Sequence, residues 1–305
     1  MTEVNYTLED EIITEFRELI YNGAVDGDTL AAIADFEFNV GHRTNAAILY
    51  RHAIQTGTTH EIFDRLARAT FPGDDYRTHL SFIHESLRPK TYLEIGICNG
   101  DTLALAQPPT QAIGIDPAPR PASVRNYTAP TTIHAMTSDD FFCNVADGAI
   151  ALDSSIDLAF IDGLHHFDQA LRDFISVERH CHARSVILLH DTMPVAALPA
   201  SRTRLTHHWC GDVWQIVPCL RKYRPDLTII TIPTYPSGLT IVMGLDPYST
   251  VLNDCIAEAI DVFAISNPTE SSEGPWHDIS AACDHIINEP AAALNAIQTW
   301  MQSAS

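Results

Sequence analysis

The chain lacks any run of about eighteen apolar residues, so no segment is expected to span a bilayer. Its opening residues, MTEVNYTLEDE, have neither the basic start nor the apolar stretch of a signal peptide, and a cytoplasmic protein is expected. Cationic side chains are scarce: 18 Lys and Arg stand against 39 Asp and Glu, a formal charge of −21. A nucleic-acid binder needs a basic surface to replace counterions, so nucleic acid is excluded as a partner and anionic membranes are disfavoured. The seven cysteines are odd in number and show no C-x-x-C spacing, which fits reduced thiols better than a disulfide framework. What the chain does have is length and apolar content, 305 residues and 46% hydrophobic, enough for a full α/β domain with a smaller appendage.

One absence inside a motif is informative. From Thr91 to Ala106 the sequence reads TYLEIGICNGDTLALA: an apolar strand, a turn marked by Gly96 and Gly100, then an apolar segment able to form a helix. Cys98 stands where a dinucleotide-binding turn has its second glycine, the one that admits a pyrophosphate. Glu94 beside the turn would repel phosphates but could hold a cationic amino group. Asp116, about twenty residues after the first glycine, can accept hydrogen bonds from both hydroxyls of a ribose. S-adenosylmethionine has a ribose, an adenine and an amino acid, and no phosphate.

Along the chain, Leu8 to Tyr21 has apolar residues at helical spacing, and Asp28 to Thr56 reads as a helix pair like one tetratricopeptide-type unit. One such unit cannot build a solenoid, so a helical subdomain is expected, docked on the rest of the chain or on a second subunit, with a homodimer the simplest assembly. A helix from Thr78 to Leu87, stopped by Pro89, leads to strands near 91–95, 111–115, 131–135, 156–161 and 185–190. This alternation predicts a mostly parallel, doubly wound sheet with ligands at the carboxyl ends of its strands. Leu227 to Pro233 and Leu239 to Gly244 are joined by too short a link for a parallel crossover and should form an antiparallel hairpin. Two more helices are expected around 249–265 and 278–302. The implied organisation is a helical region over 1–77, an α/β domain over 78–247 and packed C-terminal helices over 248–305.

Asp162 and Asp191 each end a strand. If those strands are neighbours, two carboxylates share one rim and repel unless a cation lies between them; Mg²⁺ is the first choice as a hard, oxygen-preferring ion. His165, three residues after Asp162, is a candidate general base, since an imidazole ordinarily titrates near neutrality. The stretch from Met193 to Trp214 is long and mixed, with Trp209, Asp212 and Trp214, and reads as a substrate lid whose aromatic faces suit a sugar.

The E-x-G-x-x-x-G pattern, Asp116, MTSDDFF from Met136, IDGLHHFDQALRDF from Ile161, LLHDT from Leu188 and WCGDVW from Trp209 together resemble the metal-dependent class I methyltransferases of the sugar and macrolide O-methyltransferase type, often labelled methyltransferase type 24. The resemblance covers about Thr78 to Pro247, in the same order throughout. It implies a Rossmann-like α/β fold with a seven-stranded sheet and an antiparallel last hairpin. It also implies cofactor contacts from Glu94, Gly96, Gly100, Asp116, Ser138, Asp139 and Asp162, with Ser138 and Asp139 flanking the adenine or serving as a helix cap. Metal ligands would be Asp162, His190 and Asp191, and the base His165. His190 replaces the usual acid, which opens the choice of metal to Mn²⁺, Fe²⁺ or Zn²⁺. His166, Trp209, Asp212 and Trp214 are the expected acceptor contacts. The implied activity is S-adenosylmethionine- and metal-dependent methylation of a hydroxyl on a sugar or glycosylated small molecule. A catechol or other phenolic acceptor, or a non-catalytic adaptor using the N-terminal helices, are the alternatives.

Overall fold

Two aspartates open helices in the same way. Asp26 precedes α1 (Gly27–Asn39) and accepts the Thr29 amide at 2.7 Å; Asp75 precedes α4 (Tyr76–Leu87) and accepts the Thr78 amide at 2.9 Å. The computed structural model describes residues 25–58, 62–120, 126–152, 155–264 and 284–303. These described residues fall into two compact units, those up to Pro72 with Thr206–His208, and those from Gly73 onward without that segment.

In the first unit α1 packs on α2 (Arg43–Gln55), and α2 on α3 (Ile62–Thr70). Small residues allow this: Ala31 and Ala34 of α1 and Ala46, Ala47 and Ala53 of α2 are buried, with Leu30, Leu49 and Tyr50 filling the remaining space. Tyr50 closes the pair by donating its hydroxyl to Asp35 at 2.6 Å. The helix expected over Leu8–Tyr21 lies outside the described residues.

The second unit is built on a sheet of eight strands: β1 (Thr91–Ile95), β2 (Gln111–Ile115), β3 (Thr131–His134), β4 (Ile156–Ile161), β5 (Cys181–His190), β6 (Thr228–Ile232), β7 (Leu239–Met243) and β8 (Asp284–His285). The spatial order is β3-β2-β1-β4-β5-β7-β6-β8. β1 to β5 run parallel and β7 pairs antiparallel with both β5 and β6, as the short link between the last two long strands requires. This is a Rossmann-like α/β architecture with an antiparallel last pair of long strands. The eighth strand, two residues parallel to β6, is an addition at the edge.

Side-chain alternation separates two cores. Leu93, Ala159, Ile161, Ile187 and Leu189 face one side, against Phe141 of α5 (Ser138–Ala146), Phe167 and Phe174 of α6 (Phe167–Glu178), Leu220 of α7 (Ile216–Tyr223) and Leu252 of α8 (Val251–Phe263). Tyr92, Leu158, Phe160, Val186 and Leu188 face the other, with Leu80 and Ile83 of α4 and Ala293 and Ile297 of α9 (Pro290–Ser303).

Three elements differ from expectation. The segment after Gly100 forms only a 3-10 turn, Leu103–Leu105, because Pro108 and Pro109 follow too soon for a longer helix. β5 begins at Cys181, four residues before the strand expected near 185–190. The last helix starts at Pro290, a residue suited to the first helical position, whose ring disfavours helix in the residue before it; 284–285 are strand instead.

Arg224, at the end of α7, is almost fully buried and binds both oxygens of Glu178 at 2.8 Å and Asp226 at 2.8 Å. Glu178 also accepts the Asp246 amide, so one ion pair ties α6, α7 and the exit of β7. Arg224→Ala leaves a buried carboxylate unpaired and is expected to lower stability by about 3–5 kcal/mol, read as a shift of the urea midpoint.

Candidate active site

Parallel pairing places the site. Ile95 lies opposite Ile115 on one side and Ile161 on the other, and Ile161 lies opposite Leu189. The residues just beyond, Gly96, Asp116, Asp162 and the 190–191 pair, therefore emerge along one edge.

The glycine turn is shaped first by the protein itself. Gly96 has φ of 89°, and a Cβ there would overlap the main-chain carbonyl of Asp162; a Cβ at Gly100, φ 74°, would overlap the Tyr127 hydroxyl. Between them Cys98 adopts φ of 46°, unusual for a side chain, and its amide donates to Asp116 at 2.8 Å. The other oxygen of Asp116 accepts the Ala118 amide at 2.8 Å, which fixes the carboxylate at the end of β2.

Glu94 is placed differently from the sequence expectation. It is wholly buried beneath the turn, and its oxygens accept the hydroxyls of Tyr92 at 2.7 Å and Thr102 at 2.5 Å. Burial pushes its carboxyl up to about 8, against the lowering effect of those two hydroxyls. It anchors the turn from below.

Thr137, one residue before the expected cap, opens α5 by accepting the Asp140 amide. Ser138 instead donates to Asp173 of α6 at 2.6 Å, and Gln169 reaches Ser138, Asp139 and Asp173. Asp173, held up at about 6 by burial, and Gln169 lie inside the IDGLHHFDQALRDF stretch but were given no role of their own from sequence.

At the rim, Asp162, His165 and Asp191 each offer a donor atom within 4.8 Å of the others. His165 Nε2 lies 3.2 Å from Asp191 and 3.7 Å from Asp162. His190 Nδ1 lies 3.2 Å from Asp162 and 3.4 Å from Asp191. Burial would press His190 down, but the two carboxylates outweigh it and hold the imidazole up at about 10. Burial likewise opposes ionisation of Asp191, yet His165 and His190 keep its carboxyl well below the usual carboxylate range. Asp191 also accepts the Ser237 hydroxyl at 2.5 Å and has φ of 59°, a conformation Asp tolerates better than most side chains. Ser237 sits in the TYPSG turn, legible in sequence only as a hairpin link. Tyr76, whose ring lies on His190 with centroids 4.3 Å apart, carried no signal beyond following a helix cap.

The WCGD stretch clamps His165. The Trp209 carbonyl lies 2.8 Å from His165 Nδ1 and its indole stacks on the imidazole, centroids 5.1 Å apart at 22°. A Cβ at Gly211 would overlap the His165 carbonyl. Asp212, buried, accepts the Phe167 amide at 2.7 Å and Arg202 at 3.0 Å. It thus caps α6 in place of His166, whose side chain makes no capping bond and stands edge-on to Trp209 at 6.1 Å. Asp212 was expected to contact the acceptor, but both its oxygens are engaged inside the protein. Trp214, expected there too, is buried in the core beside α6.

Residues 93–192, which hold the turn and both rim aspartates, match a protein family described as methyltransferase domain. The match makes this segment similar to methyltransferase domains. No curated protein sequence matches the chain. Solved structures similar to it include the O-methyltransferase TomG of Streptomyces achromogenes, involved in tomaymycin synthesis, in complex with S-adenosylmethionine: 13% identity, 59% of this chain and 83% of that one, TM-score 0.42. The O-methyltransferase of Bacillus cereus with S-adenosylhomocysteine has 11% identity, 71% and 99% coverage, and TM-score 0.41. The methyltransferase MycE of mycinamycin biosynthesis, with Mg, S-adenosylhomocysteine and mycinamycin VI, has 14% identity, 57% and 49% coverage, and TM-score 0.38. Among the described residues no helix is long and apolar enough to cross a membrane.

The Glu94 carboxyl gives a signed pH test. Between its ordinary value of 4.5 and about 8 the folded protein holds a proton that the unfolded chain has lost, so this group's contribution to stability falls as pH rises through that window. The melting temperature of Glu94→Gln should therefore rise relative to wild type from pH 5 to pH 9. Parallel melting profiles would show that Glu94 is not the protonated group.

Proposed function

We propose that this protein is an O-methyltransferase that uses S-adenosylmethionine and a divalent metal to methylate a hydroxyl of a sugar or glycosylated small molecule. The observation that carries this reading is the convergence of the Asp162, His165 and Asp191 donor atoms within 4.8 Å, on the same strand edge as the glycine turn.

The residues present fit a dication: two carboxylates, one of them buried, with imidazoles from both sides and a serine hydroxyl orienting Asp191. Asp162 and Asp191 would hold it, with His190 in the third protein position. When bound, such an ion binds two oxygens of a vicinal diol or hydroxy-keto acceptor and lowers the pKa of the one to be methylated.

Asp116 would take the ribose hydroxyls, and Ser138 and Asp139 would border the adenine. Glu94 works through the turn it supports. The acceptor oxygen displaces sulfur at the methyl carbon, and its proton passes to Nε2 of His165, whose Nδ1 faces the Trp209 carbonyl. His166 and the edge of Trp209 would border the C–H side of a sugar ring, while Asp212, Arg202 and Gly211 hold that wall in place.

His165→Ala is expected to reduce methyl transfer by about 10²–10⁴-fold while calorimetry still shows S-adenosylmethionine binding. The assay offers labelled methyl donor with sugars, glycosides and catechols, with and without chelator. Unchanged turnover in the variant, or full activity after chelation, would overturn the mechanism; label entering catechols alone would overturn the acceptor.

A further inference from the structure

We infer that the rim is a mixed nitrogen–oxygen centre built for a transition dication of the Mn²⁺, Fe²⁺, Co²⁺ or Zn²⁺ kind, with His190 Nδ1 as a ligand, and that Mg²⁺ is its weaker occupant. This rests on the metal-dependent reading above and names the metal class and the nitrogen that selects it.

Three observations carry it. First, the spacing is that of ligands sharing an ion. Around a dication with bonds of about 2.1 Å, neighbouring ligand atoms stand about 3.0–3.4 Å apart. His190 Nδ1 lies 3.2 Å from Asp162 Oδ1 and 3.4 Å from Asp191 Oδ1. Second, His190 cannot leave. It is 6% exposed, it ends β5 in register with Leu239 of β7, and its ring lies on Tyr76 at 4.3 Å and edge-on to Phe160 at 6.0 Å. Its Nε2 has no hydrogen-bond partner, so Nδ1 is the nitrogen with polar neighbours. Third, the donor set is the wrong one for Mg²⁺, a hard ion that keeps oxygen ligands and several waters; imidazole suits Mn²⁺, Fe²⁺, Co²⁺ and Zn²⁺. His165, on the more open side with its Nδ1 against the Trp209 carbonyl, remains beside the ion as proton acceptor. A metal entering the rim displaces the proton on His190 Nδ1 to solvent.

The test uses the full chain, stripped with chelator and loaded with Mn²⁺, without methyl donor or acceptor. Pulsed electron paramagnetic resonance should show coupling of the Mn²⁺ electron spin to an imidazole ¹⁴N, moved to ¹⁵N by histidine labelling. The coupling should vanish in His190→Asp and in His190→Asn and persist in His165→Ala. Calorimetry should show the preference for Co²⁺ over Mg²⁺ falling by about tenfold or more in His190→Asp. Mn²⁺ bound with no nitrogen coupling in the wild type would overturn the inference without touching the proposed methyl transfer. Coupling lost in His165→Ala but kept in the His190 variants would overturn the assignment to His190. Failure of any of these ions to bind would overturn both readings.

Discussion

The pairing of β4 with β5 is the constraint on which the site depends. Ile161 opposite Leu189 leaves Asp162 and Asp191 no choice but the same strand edge. Two carboxylates side by side, one of them buried, are unstable unless positive charge lies between them. The imidazoles of His165 and His190 approach from either side, and the Ser237 hydroxyl, carried by the β6–β7 turn, steadies Asp191. Even the antiparallel end of the sheet, remote in sequence from the glycine turn, thus serves the same few ångströms.

A second constraint acts through the start of α6. Its first amide is capped from forty-five residues away by Asp212, and Arg202 bridges Asp212 to Asp168 in the helix's first turn. Negative charge at a helix N-terminus is favourable, so this clamp stabilises the helix while it sets His165 just ahead of it. The Trp209 and Gly211 contacts belong to the same clamp. The stretch that reads as a lid in sequence is, over residues 209–214, an inner wall: Trp214 is core, Asp212 is a cap and Trp209 is pinned on His165.

Much of this was legible in the sequence. Strand positions followed from apolar runs between turn residues, and both aspartates fell at strand ends because buried strands stop where charge begins. The hairpin followed from the length of its link. What stayed hidden was contact between distant segments. Nothing local marks Asp212 as a cap for Phe167, Ser237 as a partner of Asp191, or Tyr76 as the surface beneath His190. Glu94 shows the opposite difficulty. Its position before the glycines was plain, but burial, decided by Tyr92 and Thr102 closing over it, turned an apparent ligand into a support. The same holds for Gly96, whose bare Cα is required by the Asp162 main chain before any small molecule arrives.

The Trp209 carbonyl facing His165 has a kinetic corollary. A main-chain carbonyl only accepts, so the ring nitrogen beside it is the donor of that contact and the opposite nitrogen is the one left for other partners. That nitrogen faces the Asp162 and Asp191 rim, where the acceptor is proposed to sit. If methyl transfer runs as proposed, an imidazole that has taken up a proton there gives it back on the same side, which would tie resetting of the base to departure of the product.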